Sequence, residues 1–420
     1  LFPTVAREGM LPEWTQMKMD WTEKTWIVAT CGRGCADVLK GELRAMGYDP
    51  QDVSPTSVGI EGDLRDAMRL NLWLRTANRV LFEVGGFEVD SADDLYEAVR
   101  ELPWELWLRR DVPFHVHGVA QHETIRDPRY AVLRCKDAIA DRFVDRTGSR
   151  PDSTSTPDGA SCVALYWKDR SAQIFLDTSG APLSHRGYRW RSWVAPLRET
   201  LAASILLEAG WGKNSAEAFI GPMCGSGTLA IEAAWMSQNR APGLEREDYA
   251  FLHLNDVDTS AWQALKAEAR AKFIAAPRTW IAASDVDAQA ISCARENAER
   301  AGVAGMIRFH TCDFRDTPLP KPPAMVLMNP EYGERMGEEE RLVTLYESIG
   351  TYFKDKCQGM RALVFTGNLP LGRKISLHPV RRVALWNGDI ECRLLEYDIY
   401  EGTRDARLIR KHGGAEIPPQ

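Results

Sequence analysis

Apolar and polar positions follow two rhythms along this chain. Near the N-terminus the units are short. Trp26 to Thr30 has strand length, and Ala36 to Met46 places Leu39, Leu43 and Met46 on one helical face before Gly47 ends it. Val58 to Ile60 is a short strand, Asp63 to Leu74 a helix and Arg79 to Val84 a strand, an order that suits a small ferredoxin-like unit. The mixture continues with a helix that Ser91 caps, a strand from Phe114 to Val119 and an amphipathic helix from Ala131 to Arg146. Pro151 to Gly159 is a loop, and Cys162 to Trp167 with Ala172 to Leu176 forms a hairpin.

From about residue 196 the units lengthen. Leu197 to Glu208 is a helix and Ala216 to Ile220 a strand; the Gly-rich turn Gly221 to Thr228 follows, then a helix from Leu229 to Gln238. Trp280 to Ser284, Ile307 to His310, Ala324 to Met328 and Arg361 to Phe365 supply four more strands, with a helix from Ala288 to Ala301. Val383 to Trp386 and Ile390 to Tyr397 flank Asn387-Gly388, a strong hairpin signal. Strand-helix alternation implies a parallel sheet, and the hairpin adds an antiparallel strand. The expected class is α/β: a seven-stranded Rossmann-like methyltransferase sheet with a terminal antiparallel hairpin, preceded by an α+β region.

Ligands of a doubly wound sheet sit beyond the carboxyl ends of its strands, and the candidate residues fall there. Gly225 and Gly227 permit close backbone approach, and the helix start after them offers N–H groups to a carboxylate. No Lys follows as in a P-loop. Asp285 is placed to bind ribose hydroxyls, and Asp313 to accept from an adenine amine. A glycine loop, a ribose acid and an adenine acid in this order fit S-adenosyl-L-methionine. The cofactor set is Pro222, Cys224, Gly225, Ser226, Gly227, Thr228, Asp285 and Asp313. At the fourth strand end stands Asn329-Pro330-Glu331-Tyr332. The Asn329 side-chain oxygen and the Pro330 carbonyl can accept from an exocyclic amine, and Tyr332 can stack a base. The target base must be unpaired or flipped out.

Composition narrows the partners. With 420 residues the chain is expected to hold two or three domains, and 44% hydrophobic with 26% charged residues describe a globular protein. No apolar stretch approaches roughly 18 residues, so no membrane span is expected. Leu1 to Lys18 lacks the order of a signal peptide, and nine scattered cysteines without a CxxC pair suit reduced thiols in the cytoplasm. His115 and His117 share a strand face without partners for a zinc set, so no metal is expected. A net charge of −7 argues against a bulk nucleic-acid coat. It leaves room for a local patch at Arg186, Arg189, Arg191 and Arg198, interleaved with Tyr188, Trp190 and Trp193, as a candidate RNA contact. A weaker patch lies at Arg373, Lys374, Arg381 and Arg382.

Several segments together resemble a known family. They are Ala29 to Gly34, Asn71 to Thr76, Lys136 to Asp141, His185 to Arg189, Ala195 to Leu201, Cys224 to Thr228, Asn329-Pro330 with Tyr332 to Arg335, and Gly388 to Leu394. Over roughly residues 26 to 403 the chain resembles the bacterial N2-guanine 23S rRNA methyltransferases that carry an N-terminal THUMP domain. The resemblance implies a 1–24 extension, a 25–85 ferredoxin-like subdomain, an 86–180 THUMP domain, a 181–405 methyltransferase domain and a 406–420 tail. It implies RNA binding by the THUMP unit, with Lys136 joining Arg186, Arg189 and Arg191 as contacts. It also implies methyl transfer to guanine N2 in 23S rRNA or a ribosome-assembly precursor, with Asn329, Pro330 and Tyr332 as catalytic residues. Two positions depart from the family pattern: Gly221 stands where an acid is usual, and Glu331 where a second proline is usual. Two alternatives stay open, the first raised by these departures and the second because the motifs alone do not separate rRNA from tRNA. One is a non-catalytic RNA-binding descendant, in which Gly221 frees the loop and Glu331 brings a carboxylate near the base. The other is a tRNA substrate.

Overall fold

The computed structural model describes residues 19–192, 196–212, 215–277, 279–333 and 339–400. Trp193, Ala195, Glu334 and Arg335 lie outside the described residues, as does nearly all of the expected N-terminal extension and the whole C-terminal tail. Two seven-stranded sheets organise the chain.

The first sheet is built from β1 (Thr25–Cys31), α1 (Ala36–Ala45), β2 (Gln51–Ser54), β3 (Ser57–Gly62), α2 (Leu64–Trp73) and β4 (Ala77–Glu88). It continues through α3 (Ala92–Glu101), α4 (Trp104–Trp107), β5 (Phe114–Gln121), α5 (Pro128–Thr147), β6 (Ser161–Lys168) and β7 (Ser171–Asp177). Its order is β2-β3-β1-β4-β7-β6-β5. The first four strands have the ferredoxin-like order. Asp63 caps α2 by accepting from Asp66 N, and Asp66 returns the bond to Asp63 N, a capping box. Ser91 caps α3 as the sequence suggests. The expected boundary at residues 85–86 falls inside β4. That strand runs past Val84 and pairs antiparallel with β7 from Leu81↔Asp177 to Glu88↔Ser171. The ferredoxin-like and following units therefore share one continuous sheet. Gly85-Gly86 hid the continuation, because glycines in a strand read as its end.

The second sheet holds α6 (Glu199–Glu208), β8 (Ala218–Pro222), α7 (Thr228–Ser237), α8 (Thr259–Ala271), β9 (Ile281–Asp285), α9 (Ala288–Arg300), β10 (Ile307–Thr311) and β11 (Ala324–Met328). It ends with α10 (Glu339–Lys356), β12 (Arg361–Thr366), α11 (Leu369–Lys374), β13 (Arg381–Asn387) and β14 (Ile390–Asp398). Its order is β10-β9-β8-β11-β12-β14-β13, and β14 is inserted antiparallel beside β12. This is the expected arrangement. Every residue of β8 and β11 is buried, which explains their unbroken apolar runs: helices cover both faces of a parallel sheet. Each such Val, Leu or Met contributes about 1.5–3 kcal/mol through burial. No helix among the described residues is long and apolar enough to cross a membrane.

The two units share one hydrophobic cluster and are joined by polar contacts as well. Trp21 Nε1 donates to Asn255 O at 2.8 Å, and Arg75 Nη2 donates to Arg240 O at 2.7 Å. Arg186, 4% exposed, donates to Leu183 O and to Arg75 O and lies 3.6 Å from Glu232. Burial raises the Glu232 pKa, while Arg186 and Arg75 oppose that shift.

Candidate functional site

The carboxyl edge of the second sheet gathers the expected residues from four strand ends. After β8 the chain turns through Met223 (φ 56°), Gly225 (φ 52°) and Gly227 (φ 82°). A Cβ on Gly227 would lie 2.9 Å from the Ala294 Cβ, so this glycine lets α7 start against α9. A Cβ on Gly225 would meet nothing within 4 Å. Gly225 is thus the point where the loop backbone borders open space, as close approach by a ligand requires. Burial, then the Asp285 carboxylate, pushes the Cys224 thiol up, so this cysteine stays a protonated packing residue.

Asp285 ends β9 and ties the loop down. Its Oδ2 accepts from Gly225 N at 3.0 Å and its Oδ1 from Asp287 N at 3.0 Å. A carboxylate has lone pairs left for ribose hydroxyls after these two bonds. Asp313 follows β10 and is held locally. Arg315 Nε donates to its Oδ1 at 2.7 Å and Arg315 Nη2 to its Oδ2 at 2.9 Å. The hydrogen bond from Arg315 holds the Asp313 carboxyl below its ordinary range against the opposing effect of burial.

Asn329 leaves β11 with its Oδ1 buried and without a hydrogen-bond partner. An unpaired buried acceptor costs roughly 1–3 kcal/mol, a cost that a donor entering the site would relieve. Pro330 is buried behind it. Tyr332 is clamped. A Cβ on Gly367 would lie 2.8 Å from the Tyr332 ring, so only glycine there lets the ring seat against the end of β12. Asn387 Nδ2, at the end of β13, donates to the Tyr332 hydroxyl at 2.9 Å. Burial pushes the Tyr332 pKa up to about 12, so it remains a neutral phenol. Tyr346 braces the turn from α10, donating to Glu331 O at 3.3 Å and sharing a 2.7 Å bond with Thr366 Oγ1.

Both departures from the family pattern have a packing explanation. Gly221 is an ordinary buried strand residue paired with Ala283, so it adds no loop freedom. A Cβ there would lie 3.1 Å from the Phe219 ring, which fills the space a larger side chain would need. Glu331 does not bring its carboxylate to the base site. Its side chain is 69% exposed and pairs with Arg341 of α10.

The basic patch needs a larger correction. Arg186 is the buried strut described above and presents no surface charge. Arg189 is committed to the glycine loop: it donates to Glu199 Oε1 (2.7 Å), Leu197 O (2.7 Å), Thr228 Oγ1 (3.1 Å) and Ser226 Oγ (3.2 Å). Tyr188 is buried, bonding Glu232 at 3.0 Å and packing edge-on against Trp235. Exposed positions are Arg191, paired with Glu296, Trp190, 64% exposed with Arg300 over its ring, and Arg198. Lys136 lies half-buried on α5, away from these residues in the chain. In the weaker patch, Arg381 is tied to Glu208. His117 bonds the buried Asp177 at 2.9 Å, and no metal-ligand cluster occurs among the described residues. The site residues that sequence reasoning missed are the clamps Gly367 and Asn387; only the Asn387-Gly388 hairpin signal marked their neighbourhood.

Comparison with known proteins identifies the domains. The RMKL-like methyltransferase domain model matches residues 186–396, half of the chain. The RlmL ferredoxin-like model matches 27–81 and the THUMP model 89–158. The chain is 36% identical over 398 residues to the ribosomal RNA large subunit methyltransferase K/L of Allochromatium vinosum, covering 93% of this chain and 53% of that protein. With its namesake from Syntrophotalea carbinolica it shares 39% over 385 residues, covering 89% and 53%. The chain therefore spans about half the length of these curated relatives. The crystal structure of SMU.472 complexed with SAH superposes with a TM-score of 0.81 at 26% identity, covering 90% of this chain and 99% of that one. A Listeria monocytogenes protein named for N6-adenine-specific DNA methylation gives 0.79 at 31%, covering 90% and 97%. By the model that matches half of its length and by the ordered strand-end site, the chain belongs to the RMKL-like methyltransferase family.

Proposed function

We propose that the chain transfers a methyl group from S-adenosylmethionine to the exocyclic N2 of a guanine in 23S rRNA or its assembly precursor, in the cytoplasm. The observation that carries this is the buried, partnerless Asn329 Oδ1 beside a clamped Tyr332, on the same sheet edge as the open glycine loop. The residues fit the cofactor: Gly225 borders open space, α7 presents its N-terminal N–H groups, and Asp285 and Asp313 keep acceptor capacity. When bound, the cofactor supplies an electrophilic methyl group. The chain's own residues act on the nucleophile. Asn329 Oδ1 and the Pro330 carbonyl accept the amine hydrogens, orient the nitrogen lone pair and favour the positive charge that builds there. Tyr332 stacks the base, a contact of about 1–3 kcal/mol.

The names of the relatives support an rRNA substrate, and the N2 position follows from the resemblance. The packing of Gly221 and the outward turn of Glu331 favour an enzyme over a non-catalytic descendant. Purified protein would be incubated with methyl-labelled cofactor and unmodified 23S rRNA, with tRNA in parallel, and nucleosides read by mass spectrometry. N2-methylguanosine in the 23S arm is the expected product. N6-methyladenosine, label confined to tRNA, or no label would each overturn the assignment.

A further inference from the structure

A second feature lies beside the base site. The β1–α1 loop, the start of α6 and the β13–β14 turn meet at a cleft of about 80 Å³ between the two sheets. Its lining includes Arg33, Asn78, Arg198, Thr200, Trp386 and Asn387, and no carboxylate. Arg33 lies 5.0 Å over the Trp386 ring, a geometry that holds the guanidinium while leaving its N–H edge available. Arg198 is exposed at the N-cap of α6. Thr200 Oγ1 donates to Asn78 Oδ1 at 3.1 Å, which leaves the Asn78 amide hydrogens to serve another acceptor. Three acids beside lining residues are occupied elsewhere: Glu42 accepts from Arg75 N, Thr76 N and Thr76 Oγ1, Glu199 accepts from Arg189, and Glu208 pairs with Arg381, while Asp389 follows the lining residue Gly388 in the turn. Asn387 connects the cleft to the site, since it lines the cleft and donates to the Tyr332 hydroxyl.

We infer that this cleft is a phosphodiester subsite that grips the RNA backbone next to the nucleotide whose base stacks on Tyr332. The cleft has room for a phosphate. The donors are of one sign in a chain whose net charge is −7, so the positive field is local to this cleft. Two arginines from different sheets close on one anion, so the strand is held where the two units join. The inference rests on the RNA substrate proposed above, but it makes its own claim about binding.

The test uses a fluorescein-labelled single-stranded RNA octamer containing one guanine, with anisotropy read across a salt series, and calorimetry with S-adenosylhomocysteine. The double variant Arg33→Ala/Arg198→Ala is expected to lose tenfold or more in RNA affinity. Its log–log salt slope should flatten by about 0.7, the value for one single-strand phosphate contact. Cofactor-product affinity should be unchanged, which shows the site intact, and Arg33→Lys/Arg198→Lys should restore the salt slope. Inorganic phosphate at matched ionic strength should not displace the RNA; displacement would mark a small-anion site and overturn the inference. An unchanged RNA affinity in the alanine variant overturns it too, even if wild-type protein methylates rRNA. Conversely, cleft-dependent binding without methylation would overturn the enzymatic assignment and leave the subsite standing.

Discussion

Arg189 separates a structural from an RNA-binding role most sharply. Its guanidinium makes four hydrogen bonds, two of them to the glycine-loop residues Ser226 and Thr228, and it pairs with Glu199. The Arg189 side chain is 19% exposed and that of Glu199 only 7%. Removing one partner of a buried pair costs roughly 3–5 kcal/mol, and partial exposure here places Arg189→Met near the lower end, about 3 kcal/mol. The loop would also lose the anchor that holds its hydroxyls. Urea denaturation should show a lower midpoint for the transition of the methyltransferase unit, and calorimetry a weaker affinity for S-adenosylhomocysteine. Replacing both partners, Arg189→Met with Glu199→Gln, should recover much of the stability, because the orphaned carboxylate is the larger part of the cost. Full stability and unchanged cofactor affinity, with RNA affinity alone reduced, would refute this reasoning and return Arg189 to the surface patch.

Other outcomes follow from the same geometry. Asn329→Ala should lower kcat by about two to three orders of magnitude, the usual cost of losing one preorganised polar partner, while leaving cofactor affinity unchanged by calorimetry. Tyr332→Ala should raise the KM for RNA by the loss of a stack of about 1–3 kcal/mol, whereas Tyr332→Phe should keep the stack and lose only the Asn387 bond. Asp177 is buried, which opposes ionisation, yet His117 and Arg79 prevail and hold its carboxyl below the ordinary 3.8. A depressed folded pKa contributes stability above the unfolded value, lost as pH falls through the folded one. The stability gap between wild type and Asp177→Asn should therefore be full at neutral pH and close below pH 3.8; a pH-independent gap would contradict the pairing.

Periodicity exposed the second sheet well because β8 and β11 are buried on both faces and the candidate site lies at their ends. Gly225, Asp285 and Asn329 were legible for that reason. Elements with weak apolar content were not. β2 is exposed along most of its length, and α8 buries only Trp262, Leu265 and Ala269. The arginine run misled because charge along a chain does not reveal partners far from it. Glu232, which receives Tyr188 and faces Arg186, lies 44 residues beyond Tyr188. The clamp on Tyr332 was equally hidden, since Gly367 and Asn387 reach it only through the fold.

The long β4 strand has a consequence for how this chain can be divided. Two sequence families meet within the first sheet, yet β4 and β7 bond edge to edge although residues 89–170 lie between them in the chain. Cutting between the families would leave two bare strand edges, each a template for pairing with other copies. Neither half is a transferable module. Recombination, truncation or domain exchange should respect residues 25–177 as one heritable unit, whatever boundary the family names suggest.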